Sequence, residues 1–549
     1  MMRVRLTAWP LLWMACLLIG LLAPAGATAQ PAQPPTPPAV VEQWGLFEIS
    51  LPGPADGNPF TEVQLSARFT NGVQTVEVDG FYDGDGVYKL RFMPPRQGRW
   101  TWVTHSNRWP LTNKQGEFTA SPPKAGNHGP VGVRFQHHFG YADGTPYKSV
   151  GTTMYSWAHR GEALETQTLK ALAASPFNKV RMLVFPQTAG VDKHPPALWP
   201  FAGTPPKNWD YTRFNPAFFR HLEQRVGQLR DLGIEADLIL HHPYDDKREW
   251  GLDNMPREVD DRYARYLVAR LAAYRNVWWS LANEFDFIRT KTDADWQHLG
   301  RLIQQIDPYG HLRSIHNGKR MYNQAEDWIT HVSMQHGMAA ADANRAVLFR
   351  EAWRKPVVFD ELKYEGRHDR RWAQLTGREM VHAFWSVTIA GSYGGHSEFI
   401  PDPLDGTIWL AQGKQLRGES PPRLAFLKTV LDAAPLEGID PIDAFEDLFI
   451  AGQPGRHYLV YFGDRPPTEW LPKLYLTGLR DGQRFKAEII DTWAMTVTPV
   501  KTPLQFKPQG RYNFVAAQPL KLPGQPGIAL RLTALDTPAG AAARPALDD

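Results

Sequence analysis

Two stretches decide how the chain is read: Val277-Trp278-Trp279-Ser280-Leu281-Ala282-Asn283-Glu284 and Pro356-Val357-Val358-Phe359-Asp360-Glu361. Each is a short, nearly continuous apolar run that ends abruptly in carboxylates. A run of this kind suits a strand buried on both faces, as in a parallel sheet. Working outward, six further runs have the same character, at 148–153, 178–185, 236–241, 312–317, 331–335 and 390–396. Helical patterns lie between most of them: Phe218, Leu222, Val226 and Leu229 share one face, as do Leu299, Leu302, Ile303 and Ile306. Eight strands with helical crossovers over about 260 residues predict an α/β fold, a (β/α)8 TIM barrel.

Outside this region the period falls to two. Val63-Gln64-Leu65-Ser66-Ala67-Arg68-Phe69 and Tyr88-Lys89-Leu90-Arg91-Phe92 alternate apolar and polar residues, and so does His457-Tyr458-Leu459-Val460-Tyr461-Phe462. Alternation broken by Gly, Asn and Asp predicts antiparallel sheets. The expected organisation is an N-terminal β-sandwich at 41–126, the barrel at 127–442 and a C-terminal β-sandwich at 443–535. Asp83-Gly84-Asp85-Gly86 has the look of a calcium loop, but it lacks the later ligands and reads as a hairpin turn. A Pro-rich linker is expected at 30–40 and a disordered Ala/Pro tail at 536–549.

Arg3 and Arg5, the apolar run from Leu11 to Leu22 and Ala27-Thr28-Ala29 form a signal-peptide pattern over 1–29, which predicts a secreted or periplasmic protein with no membrane span after cleavage. The single cysteine, Cys16, lies inside that segment, so cysteine metal sites and disulfides are not expected in the mature chain. The 549 residues carry a net charge of +3 and no long Lys/Arg run, which gives nucleic acid no electrostatic footing as a partner.

A barrel enzyme builds its site from residues at the C-terminal ends of its strands. Glu284 closes the fourth strand and Glu361 the seventh, so the two can face each other across the rim. Glycoside hydrolysis requires such a pair: one carboxyl protonates the leaving oxygen, the other attacks carbon or activates water. Asp360 competes with Glu361, because neighbours on a regular strand point to opposite faces.

The Asn283-Glu284 pair and Glu361 resemble the corresponding residues of the clan A retaining glycoside hydrolases. The layout resembles a bacterial apiosidase-like barrel group with β-sandwiches at each end. The stretches Gly80-Phe81-Tyr82-Asp83-Gly84-Asp85-Gly86, Arg91-Phe92-Met93-Pro94 and Tyr141-Ala142-Asp143-Gly144-Thr145-Pro146-Tyr147 carry that likeness. The resemblance implies Glu284 as acid/base, Glu361 in preference to Asp360 as nucleophile, Asn283 at a sugar hydroxyl and Arg181 beside the nucleophile. It also places His336 near the nucleophile and His241 and His242 at the sugar-contacting rim. Glu398 is a further rim candidate, and Trp157, Tyr244, Trp199, Trp209 and Trp250 lie in loops where aromatic faces suit pyranose rings. The implied partner is a polysaccharide or oligosaccharide, with no cofactor and no metal. Two other readings stay open: a non-catalytic carbohydrate-binding barrel, and a metal-dependent hydrolase using His241, His242, Asp245 and His336. A serine hydrolase is not expected, since no Gly-x-Ser-x-Gly elbow is present.

Overall fold

The computed structural model describes residues 39–187, 195–245, 250–335, 342–434, 438–442, 450–475, 479–510 and 513–535. The stretch read as a signal peptide, most of that read as a linker, His336 and the stretch read as a tail lie outside these residues. All described residues belong to one compact unit, Ala39–Asp549.

Its centre is an eight-stranded parallel sheet: β1 (Val150–Thr153), β2 (Lys179–Leu183), β3 (Glu235–His241), β4 (Val277–Ala282), β5 (Arg313–Ser314), β6 (Val332–Gln335), β7 (Val357–Glu361) and β8 (Tyr393–His396). The order runs β5-β4-β3-β2-β1-β8-β7-β6, and a parallel bridge between His316 and Ser333 joins the two end strands into a nearly closed barrel. Every residue of β2, β3, β4 and β7 is buried, as strands packed on both faces must be. Around them lie α1 (Glu162–Ala173), α2 (Pro216–Asp231), α3 (Arg257–Leu271), α4 (Asp293–Ile306), α5 (Ala343–Trp353), α6 (Gly377–Ile389) and α7 (Ser420–Asp432). Local chemistry sets several helix starts. Asn215 accepts from Ala217 N ahead of Pro216, and Thr292/Asp295 and Thr376/Glu379 form capping boxes.

Strand five is shorter than the run at 312–317 implies, because only Arg313 and Ser314 pair with β4. The expected eighth strand at 390–396 begins at Tyr393, since α6 runs on to Ile389. The long insertion after β2 contains a hairpin, Phe201–Thr204 with Asn208–Phe214.

Sheets flank the barrel on both sides in sequence. The N-terminal one opens with Ala39–Glu42, which pairs in parallel with Gln115–Ser121, so sheet structure starts inside the stretch read as linker. Asp83-Gly84-Asp85-Gly86 is the turn of a hairpin between Phe81–Tyr82 and Val87–Phe92. The C-terminal sheet is antiparallel, with Arg484–Asp491 and Ile528–Ala534 at its centre and Asp440–Ile442 as its first strand.

The turn and the neighbouring Arg91 fasten the N-terminal sheet to α2 and α3. Arg270, fully buried, donates to Asp83 Oδ1 at 2.8 Å and to Glu223 Oε1, with its guanidinium 4.3 Å above the Phe81 ring. Arg91 donates to Glu223 Oε2 at 3.0 Å, to Glu48 Oε2 at 2.8 Å and to the Arg270 carbonyl at 2.7 Å. Removing one member of such a buried network leaves partner charges without compensation. Arg270→Ala is therefore expected to destabilise the protein by about 3–5 kcal/mol in denaturant unfolding, and a loss within about 0.5 kcal/mol, the range of an ordinary surface substitution, would contradict this account.

Candidate active site

The C-terminal mouth of the barrel gathers both carboxylates. Glu361, the last residue of β7, is buried, and all of its hydrogen bonds among the described residues fall on Oε1. The Tyr155 hydroxyl donates at 2.6 Å and Arg181 Nη1 at 3.0 Å, while His316 Nε2 stands 3.4 Å away. Burial alone would raise the Glu361 pKa; His316, Arg181 and the Tyr155 hydroxyl outweigh it and hold the carboxyl well below the usual carboxylate range. Arg181 carries the charge in this set, because burial and Arg181 itself push His316 below its ordinary value.

Glu284 follows β4 in the left-handed region, with φ of 46°, a conformation uncommon for non-glycine residues. Its Oε2 accepts from the Tyr244 hydroxyl at 2.8 Å and its Oε1 from Gln335 Nε2 at 2.7 Å. Burial and the nearby Glu361 charge nevertheless push its pKa up to about 7. Asn283 sits between the two carboxylates. Its Oδ1 accepts from Arg181, and its Nδ2 faces the hydroxyls of Tyr155, at 3.2 Å, and Tyr244. An unbroken series, Glu284–Tyr244–Asn283–Tyr155–Glu361, thus spans the mouth.

Asp360 does not point away from this site. Met334 pairs with Phe359 but Gln335 pairs with Glu361, so Asp360 is the extra residue of a β-bulge. The bulge suspends the strict alternation expected of a strand and admits both acids to the polar interior. Asp360 accepts from Lys179 Nζ and from Ser333 Oγ, each at 2.5 Å; Lys179 also donates to Asp237 at 2.8 Å, and Ser333 Oγ lies 3.0 Å from His316 Nδ1. A buried series from Lys179 through Asp360, Ser333 and His316 therefore ends beside Glu361.

Other sequence candidates settle differently. Trp157 is fully buried in the hydrophobic core, not at the mouth, because the chain turns through Trp157–His159 directly after β1. His241 is fully buried against Phe185, Tyr263 and Trp296. His242 donates from Nε2 to the Phe185 carbonyl at 3.1 Å and stacks on Tyr244, so it orients that tyrosine. Glu398 is fully buried, with its oxygens accepting the backbone N–H groups of Arg417 and Gly418. Trp199 stacks on Trp250 with centroids 4.2 Å apart, and Trp209 Nε1 donates to the Trp250 carbonyl, so these loop aromatics pack first on one another. Among the described residues, His241, His242 and Asp245 do not form a ligand cluster. Tyr155, Gln335 and His316 were not singled out from the sequence; Tyr155 shares the strand-one alternation with Thr153, and Gln335 closes the sixth strand as Glu361 closes the seventh.

Comparison with known proteins bears on the family and the fold. Residues 134–397 match the apiosidase-like catalytic domain, residues 40–107 the DUF5060 domain of unknown function and residues 447–533 the DUF5605 domain of unknown function. A candidate glycoside hydrolase of known structure from Bacteroides vulgatus ATCC 8482 is 40% identical with a TM-score of 0.87; the match covers 90% of this chain and 100% of that one. A glycoside hydrolase family 5 structure from the same organism has the same fold at 17% identity and a TM-score of 0.55, over 74% of this chain and 94% of that one. None of the curated proteins matches the chain.

Proposed function

The chain belongs to the apiosidase-like glycoside hydrolases, and on that premise we propose that it cleaves O-glycosidic bonds of a polysaccharide or oligosaccharide by a retaining double displacement. Glu361 is the nucleophile and Glu284 the acid/base. The observation that carries this reading is the opposite electrostatic setting of two carboxyls at one barrel mouth. Glu361 is held ionised by Arg181, with Tyr155 as a hydrogen-bond donor, whereas Glu284 is lifted to about 7 and keeps a proton to give.

The steps follow from these positions. Arg181 and Tyr155 anchor Oε1 of Glu361, which leaves Oε2 to attack the anomeric carbon. Burial, together with the adjacent carboxylate, holds the Tyr155 hydroxyl proton well above its ordinary pKa, so it remains a donor. Glu284 protonates the departing oxygen as the bond to it breaks. In the second step the deprotonated Glu284 takes a proton from water, which displaces Glu361 and restores the original configuration. Gln335 and Tyr244 hold the Glu284 carboxyl by both oxygens through this exchange. The signal-peptide pattern supports action outside the cytoplasm, and the flanking sheets are read as β-sandwiches that brace the barrel.

The pH profile tests the assignment. Glu284 acts when protonated, so kcat/KM should fall as pH rises through about 7. Glu361 acts when ionised and its pKa lies well below the usual carboxylate range, so its own loss of activity belongs at strongly acidic pH. A rate that rises through neutral pH would contradict the assignment.

A further inference from the structure

Beyond β7 and β8 the chain continues into a short parallel ladder, Glu365–Gly366 with Glu398–Phe399, in which Glu365 lies opposite Glu398. His396 and Glu398 are two residues apart on extended backbone and so share a face. Donor atoms of Glu365, His396 and Glu398 lie within 4.8 Å of one another, and the three side chains are 4%, 0% and 0% exposed. Like charges opposed across a ladder repel, and here water is excluded as well.

The N-terminal end of α7 closes over the group. Glu398 accepts from Arg417 N at 2.5 Å and Gly418 N at 2.6 Å, and Glu365 from Glu419 N at 2.6 Å, Ser420 N at 3.1 Å and Ser420 Oγ at 2.5 Å. The approach is close: a Cβ on Gly418 would meet Glu398 Oε2 at 2.4 Å and Glu365 Oε2 at 2.5 Å. Those neutral donors account for the carboxylates as helix caps, but they do not account for the imidazole. His396 Nδ1 lies 3.2 Å from Thr152 Oγ1, an oxygen already accepting Trp409 Nε1–H at 2.9 Å, and His396 Nε2 has no hydrogen-bond partner among the described residues. A buried nitrogen without a partner is destabilising unless something satisfies it. Phe177 stacks on the ring with centroids 4.7 Å apart and holds it in place.

We propose that Glu365, His396 and Glu398 bind one divalent transition-metal cation, zinc or manganese, outside the catalytic pair. The cation offsets the two opposed carboxylates and takes the imidazole lone pair, while Nδ1–H donates to Thr152 and fixes the tautomer. One imidazole with two carboxylates suits zinc or manganese; calcium prefers six to eight oxygen ligands. A cation here ties the exits of β7 and β8 to the start of α7.

The test is the metal content of the full-length wild-type protein, expressed with added zinc and manganese salts and desalted, followed by melting with EDTA and with ZnCl2 or MnCl2 restored. The proposal expects about one ion per chain, a melting temperature that drops with EDTA and recovers with metal, and loss of the ion in His396→Phe but not in Glu361→Ala. Fewer than about one ion in ten chains, with melting unmoved by either metal, would overturn it and leave the trio as a helix cap sharing a proton. An ion retained by His396→Phe would equally overturn it, by placing the metal elsewhere. If His396→Phe does not fold, the wild-type content and melting response decide.

Discussion

Glu361→Ala is expected to lower turnover by several orders of magnitude while substrate binding persists. The alanine removes the attacking oxygen and leaves Arg181 and Tyr155 in place around a space that a small anion can enter. Azide should therefore restore turnover of an activated aryl glycoside, and because it displaces the leaving group in a single step, the glycosyl azide should be inverted. Asp360→Asn provides the contrast. Asp360 bonds to Lys179 and Ser333, and its side chain reaches Glu361 through Ser333 and His316. Its loss should misplace the nucleophile at a cost of up to about 100-fold, with no rescue by azide. Near-normal activity in Glu361→Ala, or azide rescue confined to Asp360→Asn, would transfer the nucleophile role to Asp360.

Glu284→Gln should be of similar size but selective. Glutamine preserves the contacts with Gln335 and Tyr244 in shape, yet it has no proton to give and cannot take one from water. Substrates with poor leaving groups should lose the first step. Activated aryl glycosides need little protonic help, so they should pass that step and stall as the glycosyl-enzyme. Azide should then release a product of retained configuration, opposite to the outcome with Glu361→Ala. The fall in rate through about pH 7 should disappear in this variant, since the group that causes it is gone. Equal losses on poor and activated leaving groups would refute the acid/base role.

The barrel was legible because parallel strands buried on both faces demand apolar runs, and such runs stand out wherever a polar residue stops them. Val277–Ala282 ends at Asn283-Glu284 and Val357–Glu361 ends in the acid itself, so the two carboxylates could be located without coordinates. What alternation could not show was the bulge at Asp360. It arises from the pairing of β7 with Met334 and Gln335, residues more than twenty positions away, and nothing local to Phe359-Asp360-Glu361 announces it. Tyr155 was obscured by Trp157, two residues later on the same period. The turn after β1 buries that larger aromatic, while Tyr155 reaches Glu361. Glu398 looked like a rim acid because it follows the last strand closely. It is instead covered by residues near 417–420, a contact made by a segment almost twenty residues downstream.

The central claim, that Glu361 attacks carbon directly while Glu284 alternates between acid and base, is tested most directly by proton NMR of the first product formed from a glycoside substrate, recorded before mutarotation. The account predicts that the anomeric configuration of the substrate is retained in that product. An inverted first product would contradict it, because a single displacement by water needs carboxyls about 6.5–9.5 Å apart in place of the roughly 5–5.5 Å of a retaining pair.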